Sequence, residues 1–356
     1  MTPRSHARHH TILPPHVLRE IARNGNAGQR DDALETLALD STFRNVRAEL
    51  LPTVQVLTRQ PAATLPPGVK RREVYDAQNK EALPGEAVRL EGTGQSQDVT
   101  VNEAYDGLGA TYDFYWNVFR RHSIDDRGLP LEASVHYGKK YDNAFWNGNQ
   151  MVFGDGDGDL FNRFTIALDV IGHELTHGVT ELEAALSYSY ESGALNESVS
   201  DVFGSLVKQY ALKQAAADAD WLIGAGLFTA KVKGKALRSM KAPGTAYDDP
   251  VLGRDPQPDH YANFVRTQSD NGGVHINSGI PNRAFYLVAT TVGGNAWEAA
   301  GRIWYETLRD RDLRANASFL QFAALTERNA SRLFGRGSAE ANAVVNAWAT
   351  VGVTQD

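Results

Sequence analysis

The stretch Leu168-Asp169-Val170-Ile171-Gly172-His173-Glu174-Leu175-Thr176-His177-Gly178-Val179 carries the pentapeptide His173 to His177 inside an apolar repeat, Leu168, Ile171, Leu175, Val179 and Leu182, that recurs at helical spacing. Residues four apart share a helix face, so His173 and His177 project together, roughly opposite that stripe. Two imidazoles held this way can clamp one zinc ion, and Glu174 lies close enough to act on water at the metal. A hydrolytic zinc takes three protein ligands and keeps a fourth position open. Downstream, in Gly193-Ala194-Leu195-Asn196-Glu197-Ser198-Val199-Ser200-Asp201, two carboxylates again stand four apart. Glu197 is the natural third ligand, and Asp201 can accept the second N–H of a ligating histidine, fixing its tautomer. Alone, such a pair reads as a solvated helix face; after a zinc-type helix it reads as a ligand and its support.

With Asp270-Asn271-Gly272-Gly273-Val274-His275 added, the chain resembles the thermolysin family of zinc endopeptidases at all three of its signatures. Asn143-Ala144-Phe145-Trp146-Asn147-Gly148, Gly154-Asp155-Gly156-Asp157-Gly158 and Pro258-Asp259-His260-Tyr261 extend the resemblance, which runs from about Arg72 to the C-terminus. It implies an α+β, thermolysin-like two-domain fold: a β-rich N-terminal domain, a helical C-terminal domain, and the zinc site in the cleft between them. The implied activity is that of a zinc-dependent neutral endopeptidase, made as a precursor and holding one Zn2+. It would act on peptide or protein substrates, cutting on the amino side of bulky apolar residues. The implied roles are residue by residue: Glu174 as general base, His275 as oxyanion donor held by Asp270, and Tyr188 as a second donor. Asn143 and the backbone of Ala144 would contact the substrate main chain, and Arg238 would grip a substrate carbonyl. Phe161, Phe164, Val170, Ile223 and Leu237 match a specificity pocket, although each by itself reads as core.

The N-terminal residues read as a separate helical unit. Pro14-Pro15 opens a first helix that Asn24-Gly25 closes, and Asp31 to Val46 reads as a second. This short piece, with its Pro-Pro-x-x-Leu element, resembles the compact propeptide of the protealysin branch of the family and implies an intramolecular inhibitor. The expected organisation is a propeptide at 1–50, a linker and maturation region at 51–71, and catalytic domains at 72–188 and 189–356. Helices are expected near Ala104 to Arg120 and at Asn295–Arg309, Asn316–Leu333 and Ser338–Ala349, with strands at Ala87–Leu90 and Ser134–Tyr137.

A chain of 356 residues can bury cores of about two domains. Its net charge of −7 argues against nucleic acid as a partner, and the absence of cysteine excludes disulfides and thiolate metal ligands. No apolar run reaches the length of a membrane span, so no membrane partner is expected. The basic start, Met1 to His10, has no apolar core behind it. No secretory signal is therefore expected; the chain would be cytoplasmic as synthesised, with release or secretion by a non-classical route.

The chain departs from the family at its double calcium site. Acidic ligands are replaced by Lys208, Leu222 and Ala225, so calcium is not expected there, and Lys208 should pair with Asp169 or Asp220. Gly154 to Asp159 fails as an EF-hand, because Leu160 stands where that loop needs Gly. It reads as a turn and edge element below the site. Two rival readings stand beside the peptidase: an inactive homologue that binds peptides in the cleft, and a protein whose zinc only ties two domains together.

Overall fold

The computed structural model describes residues 10–54 and 65–354, with 42–54 followed as backbone only. The basic start up to position 9 and most of the linker-like stretch, 55–64, lie outside the described residues. The chain divides into two compact units, one of 1–178 with 226–232 and 250–252, the other of the remainder.

The first unit is built on a six-stranded sheet. In chain order come β1 (His10–Thr11), α1 (Pro15–Asn24), α2 (Ala27–Val54), β2 (Arg72–Asp76), β3 (Glu86–Leu90), α3 (Val99–Phe119), β4 (Leu131–Val135), β5 (Ala144–Trp146), β6 (Met151–Phe153) and α4 (Leu168–Glu183). The strand order is β1-β5-β6-β4-β2-β3. The middle pairs, β6 with β4 and β4 with β2, are parallel, and β1 closes one edge antiparallel to β5.

Local chemistry explains most boundaries. Pro15 sits in the first turn of α1, and Gly25 caps its end by donating to the Ile21 carbonyl. The second helix starts earlier than Asp31 because Asn26 and Gln29 cap it reciprocally: Gln29 N–H donates to Asn26 Oδ1 and Asn26 N–H to Gln29 Oε1. It also runs on to Val54, beyond the expected end. The Asp98 carboxylate caps α3 at Thr100 N–H. On α4, Ile171, Leu175 and Val179 are buried, each contributing about 1.5–3 kcal/mol. The expected stripe stops there, since Leu182 is 59% exposed. The opposite face is buried too, so α4 is an interior helix rather than a surface one.

Gly154 to Asp159 forms a turn after β6, not an edge strand. Asp157 Oδ1 accepts from the backbone N–H of Asp159, Leu160 and Phe161. Gly154 is required there, because a Cβ would lie 1.9 Å from the Tyr141 carbonyl oxygen. The strand expected at Ser134–Tyr137 ends at Val135, where His136 turns to φ 53°.

The second unit is mostly helical. It holds α5 (Tyr190–Leu212), the short pairs β7 (Leu222–Ile223) with β8 (Arg238–Ser239) and β9 (Asp248–Asp249) with β10 (Gly253–Arg254), then α6 (Asp270–Asn277), α7 (Gly279–Val292), α8 (Ala300–Leu308), α9 (Phe319–Phe334) and α10 (Ala339–Thr350). Ser318 and Gln321 form a capping box that starts α9 three residues later than the apolar pattern suggests. Its core is aromatic: Trp304 stacks on Trp348 at 6.3 Å and meets Phe285 edge-on at 5.0 Å. Among the described residues no helix is long and apolar enough to cross a membrane.

Candidate active site

The site starts from α4. His173, Glu174 and His177 are buried, and the two imidazoles meet nearly at right angles with their Nε2 atoms 3.0 Å apart. Their register is fixed from behind by Thr176, whose hydroxyl donates to the Gly172 carbonyl and meets the Tyr115 hydroxyl at 2.8 Å. The third member comes from α5. One ligand atom each from His173, His177 and Glu197 all lie within 4.8 Å of one another, the one such group of three among the described residues. Two facing imidazole nitrogens and a buried carboxylate, with no thiolate, are a donor set that suits zinc. A carboxylate this deep also calls for a cation.

Glu174 is aimed by β5. Its Oε2 accepts the Trp146 backbone N–H at 3.1 Å. The start of that strand bears Asn143 and Ala144, and both are engaged by the N-terminal segment. Leu13 N–H donates to Asn143 Oδ1 at 2.9 Å, Ile12 N–H donates to the Ala144 carbonyl at 3.1 Å, and His10 and Thr11 pair with Trp146 and Phe145. From α2, Asp40 accepts from Asn143 Nδ2 and from the Tyr141 hydroxyl.

In the helical unit, Asp270, His275, Tyr188 and Glu197 form a buried relay. Asp270 accepts from His275 Nδ1 at 2.7 Å and from its backbone N–H at 3.0 Å. His275 Nε2 lies 3.2 Å from the Tyr188 hydroxyl, which donates to Glu197 Oε1. Burial works against a charge on His275, but the Asp270 and Glu197 carboxylates outweigh it and push its pKa up to about 9. The turn that delivers His275 is left-handed at four consecutive residues, Asp270 to Gly273, with φ between 52° and 90°. Gly272 cannot be replaced there, because a Cβ would lie 2.5 Å from the Tyr190 ring.

Asp201 is fully buried and accepts two parallel hydrogen bonds from Arg238, through Nε and Nη2, each at 2.8 Å. Asn282 Nδ2 adds a third at 2.8 Å. Burial opposes the guanidinium charge, yet Asp201 and Glu197 raise the Arg238 pKa further. Phe161, Phe164, Val170, Ile223 and Leu237 are all buried. Lys208 Nζ lies 2.9 Å from Asp220 and 2.9 Å from the Leu222 carbonyl oxygen.

Four contributors were not foreseen from the sequence: the Trp146 N–H, Asn282, Tyr141 and Asp40. The Trp146 N–H is a backbone group and leaves no residue signal. Asn282 lies on α7, a helix the periodicity reading passed over. Tyr141 and Asp40 act through partners that are distant in sequence.

The family profile for the thermolysin metallopeptidase catalytic domain matches residues 63–181, and that for the thermolysin metallopeptidase alpha-helical domain matches 184–353. The chain is 53% identical over 343 residues to an extracellular metalloprotease of Pectobacterium carotovorum subsp. carotovorum, covering 96% of both chains. It is 48% identical over 350 residues to protease PrtS of a Photorhabdus species, covering 96% of this chain and 91% of the relative. Among solved structures it resembles the precursor of protealysin, a metalloproteinase from Serratia proteamaculans, with a TM-score of 0.88, 55% identity, and coverage of 97% of this chain and 100% of that one.

Proposed function

The chain belongs to the thermolysin family of metallopeptidases, and from that premise we propose that it is a zinc-dependent endopeptidase held latent by its own N-terminal segment. The observation that carries the peptidase reading is the gathering of His173, His177 and Glu197. His173, His177 and Glu197 would hold the zinc, which when bound supplies a Lewis acid that activates water and polarises the scissile carbonyl.

The other steps belong to the side chains. Glu174, steadied by the Trp146 N–H, accepts the proton that water loses and passes it to the departing amine. His275, cationic at neutral pH and gripped by Asp270, donates from Nε2 to the oxygen that gains charge. Tyr188 is a second donor. Its hydroxyl is engaged with Glu197, so it must turn from that carboxylate to serve. Asp201 supports a ligating histidine while anchoring Arg238, which faces the substrate carbonyl. Asn143 and Ala144 bind the substrate main chain. The five apolar side chains match a pocket for a bulky apolar residue just after the cut bond.

Latency is supported foremost by Leu13, which takes the Asn143 side chain that a substrate main chain would need. We assign residues 1–50 to this prosegment, 51–71 to the linker where maturation cuts, and 72–188 and 189–356 to the two catalytic domains. The chain spans the whole of the protealysin precursor that it resembles, which supports the assignment. Its relatives include a metalloprotease named as extracellular, which supports action outside the cell. Lys208, with its ammonium against Asp220 and the Leu222 carbonyl, supports a family double calcium site that no longer takes calcium. Peptides with Leu or Phe after the scissile bond, assayed with and without a zinc chelator, test the reading. Hydrolysis that the chelator abolishes is expected. Binding without cleavage would make the chain an inactive peptide binder instead.

A further inference from the structure

Beneath α2 lies a carboxyl group that the chemistry above does not use. Asp142 is 2% exposed, and its Oδ1 has no hydrogen-bond partner. The prosegment covers it: the Asp142 backbone N–H donates to Thr36 Oγ1 of α2 at 3.2 Å. It adjoins Asn143, the residue that clasps Leu13.

Its charged surroundings are mostly acidic. From α2 comes Asp32, which pairs with Lys140 at 3.0 Å. One turn pair along, Asp40 is tied to Tyr141 and Asn143. From the turn after β6 comes Asp157, whose backbone N–H donates to Asp142. Beyond it, Asp159 is held by Gln29 and Lys231. Lys140 is the cation that acts on Asp142, and it is half-exposed and paired with Asp32.

We propose that Asp142 is a proton-operated latch: protonated, it lies under α2 and lets the prosegment seat; ionised, it unseats it. A buried carboxylate with one oxygen unpartnered, beside two further carboxylates, is the costly form. Burial first, then Asp157 and Asp32, hold the seated carboxyl far above its usual range, and Lys140 does not offset them. Lifting α2 takes away Asp32 and admits water, which returns Asp142 to an ordinary carboxylate. The seated form therefore binds one more proton than the open form. Its advantage is complete below the ordinary carboxylate range and shrinks as pH rises, by up to about tenfold per pH unit, until the covered carboxyl itself ionises. Maturation is then suppressed in acid and released at higher pH.

The inference rests on reading residues 1–50 as a prosegment, but its test needs no peptidase activity. Full-length Glu174→Ala protein is followed by hydrogen exchange at the Ile12 and Leu13 amides, the two that bond to Ala144 and Asn143. Protection is corrected for intrinsic base-catalysed exchange. It should fall at least about tenfold as pH rises from about 4 to neutral, as loss of one bound proton requires. Adding Asp142→Asn, which stays neutral, should make protection flat with pH. Adding Asp32→Asn instead should leave the start of the fall in place but end it at lower pH, making it smaller, since it removes a repelling carboxylate from the covered state and frees Lys140. Thermal melts confirm that each variant is folded. An equal fall in the Asp142→Asn protein overturns the latch, as does an Asp32→Asn protein whose fall ends at the same pH and has the same size as the parent's, or a parent whose protection does not change.

Discussion

Glu174 is buried, oriented by a backbone amide and adjacent in sequence to a metal ligand without being one. Its replacement by alanine should keep the metal and cost several orders of magnitude in kcat, because it removes the proton carrier alone. Asp270 acts at one remove, through His275. Asp270→Asn should lower kcat by about 10²–10³ with KM and metal content little changed, since the imidazole loses the charge that keeps it cationic. A drop in KM affinity with normal kcat would assign the pair to substrate binding. The metal-ligand candidates were legible in the sequence because they stand at helical spacing, His173 with His177 and Glu197 with Asp201, whereas Asp270 and His275 were read only from the family resemblance. Asn282 was not legible, because a single amide reaching Asp201 from 81 residues away follows no local period.

At the scale of elements, three chain segments are pinned by one imidazole. His136 ends β4 and bridges Asp98, the N-cap of α3, and Asp155, in the turn after β6, at 2.8 Å each. The Asp155 hydrogen bond, against the opposing effect of burial and with help from Asp98, pushes its pKa up to about 9. The folded value is raised above the ordinary 6.5, so the stabilisation is fully present below about pH 6.5 and is lost as pH climbs through about 9. With partly exposed carboxylates it amounts to about 2 kcal/mol. Melting temperatures of inactive Glu174→Ala protein should fall from neutral pH to pH about 10 more steeply than those of the same protein carrying His136→Gln. Parallel curves would remove the bridge from the stability of the unit. The helices of the second unit were largely readable from apolar periodicity. The β1–β5 pairing was not: two residues find their partners about 135 positions away, and the propeptide reading supplied an inhibitor without the residues it pairs with. The length of α2 was missed although its cap, Asn26 with Gln29, was there to be read.

At the scale of the molecule, the N-terminal segment proposed to restrain the enzyme forms a strand, a helix pair and a set of side-chain clasps on the sheet of the unit that carries Glu174 and both histidines. Cation dependence follows from the donors available. With an ammonium at Lys208 engaging Asp220, millimolar calcium should move the melting temperature by no more than about 1 °C, whereas zinc removal should abolish activity. A clear upward shift with calcium would show that the ammonium does not replace it. Latency and metal are read together by native mass spectrometry of wild type and Glu174→Ala made side by side in a protease-free host. The Glu174→Ala protein should appear at full length with one zinc, and wild type should appear shortened by roughly fifty residues, also with one zinc, the Pro-rich linker being the expected place to cut. A zinc-free Glu174→Ala protein, or a fully active wild type that keeps its N-terminus, would contradict a zinc peptidase restrained by its own first fifty residues.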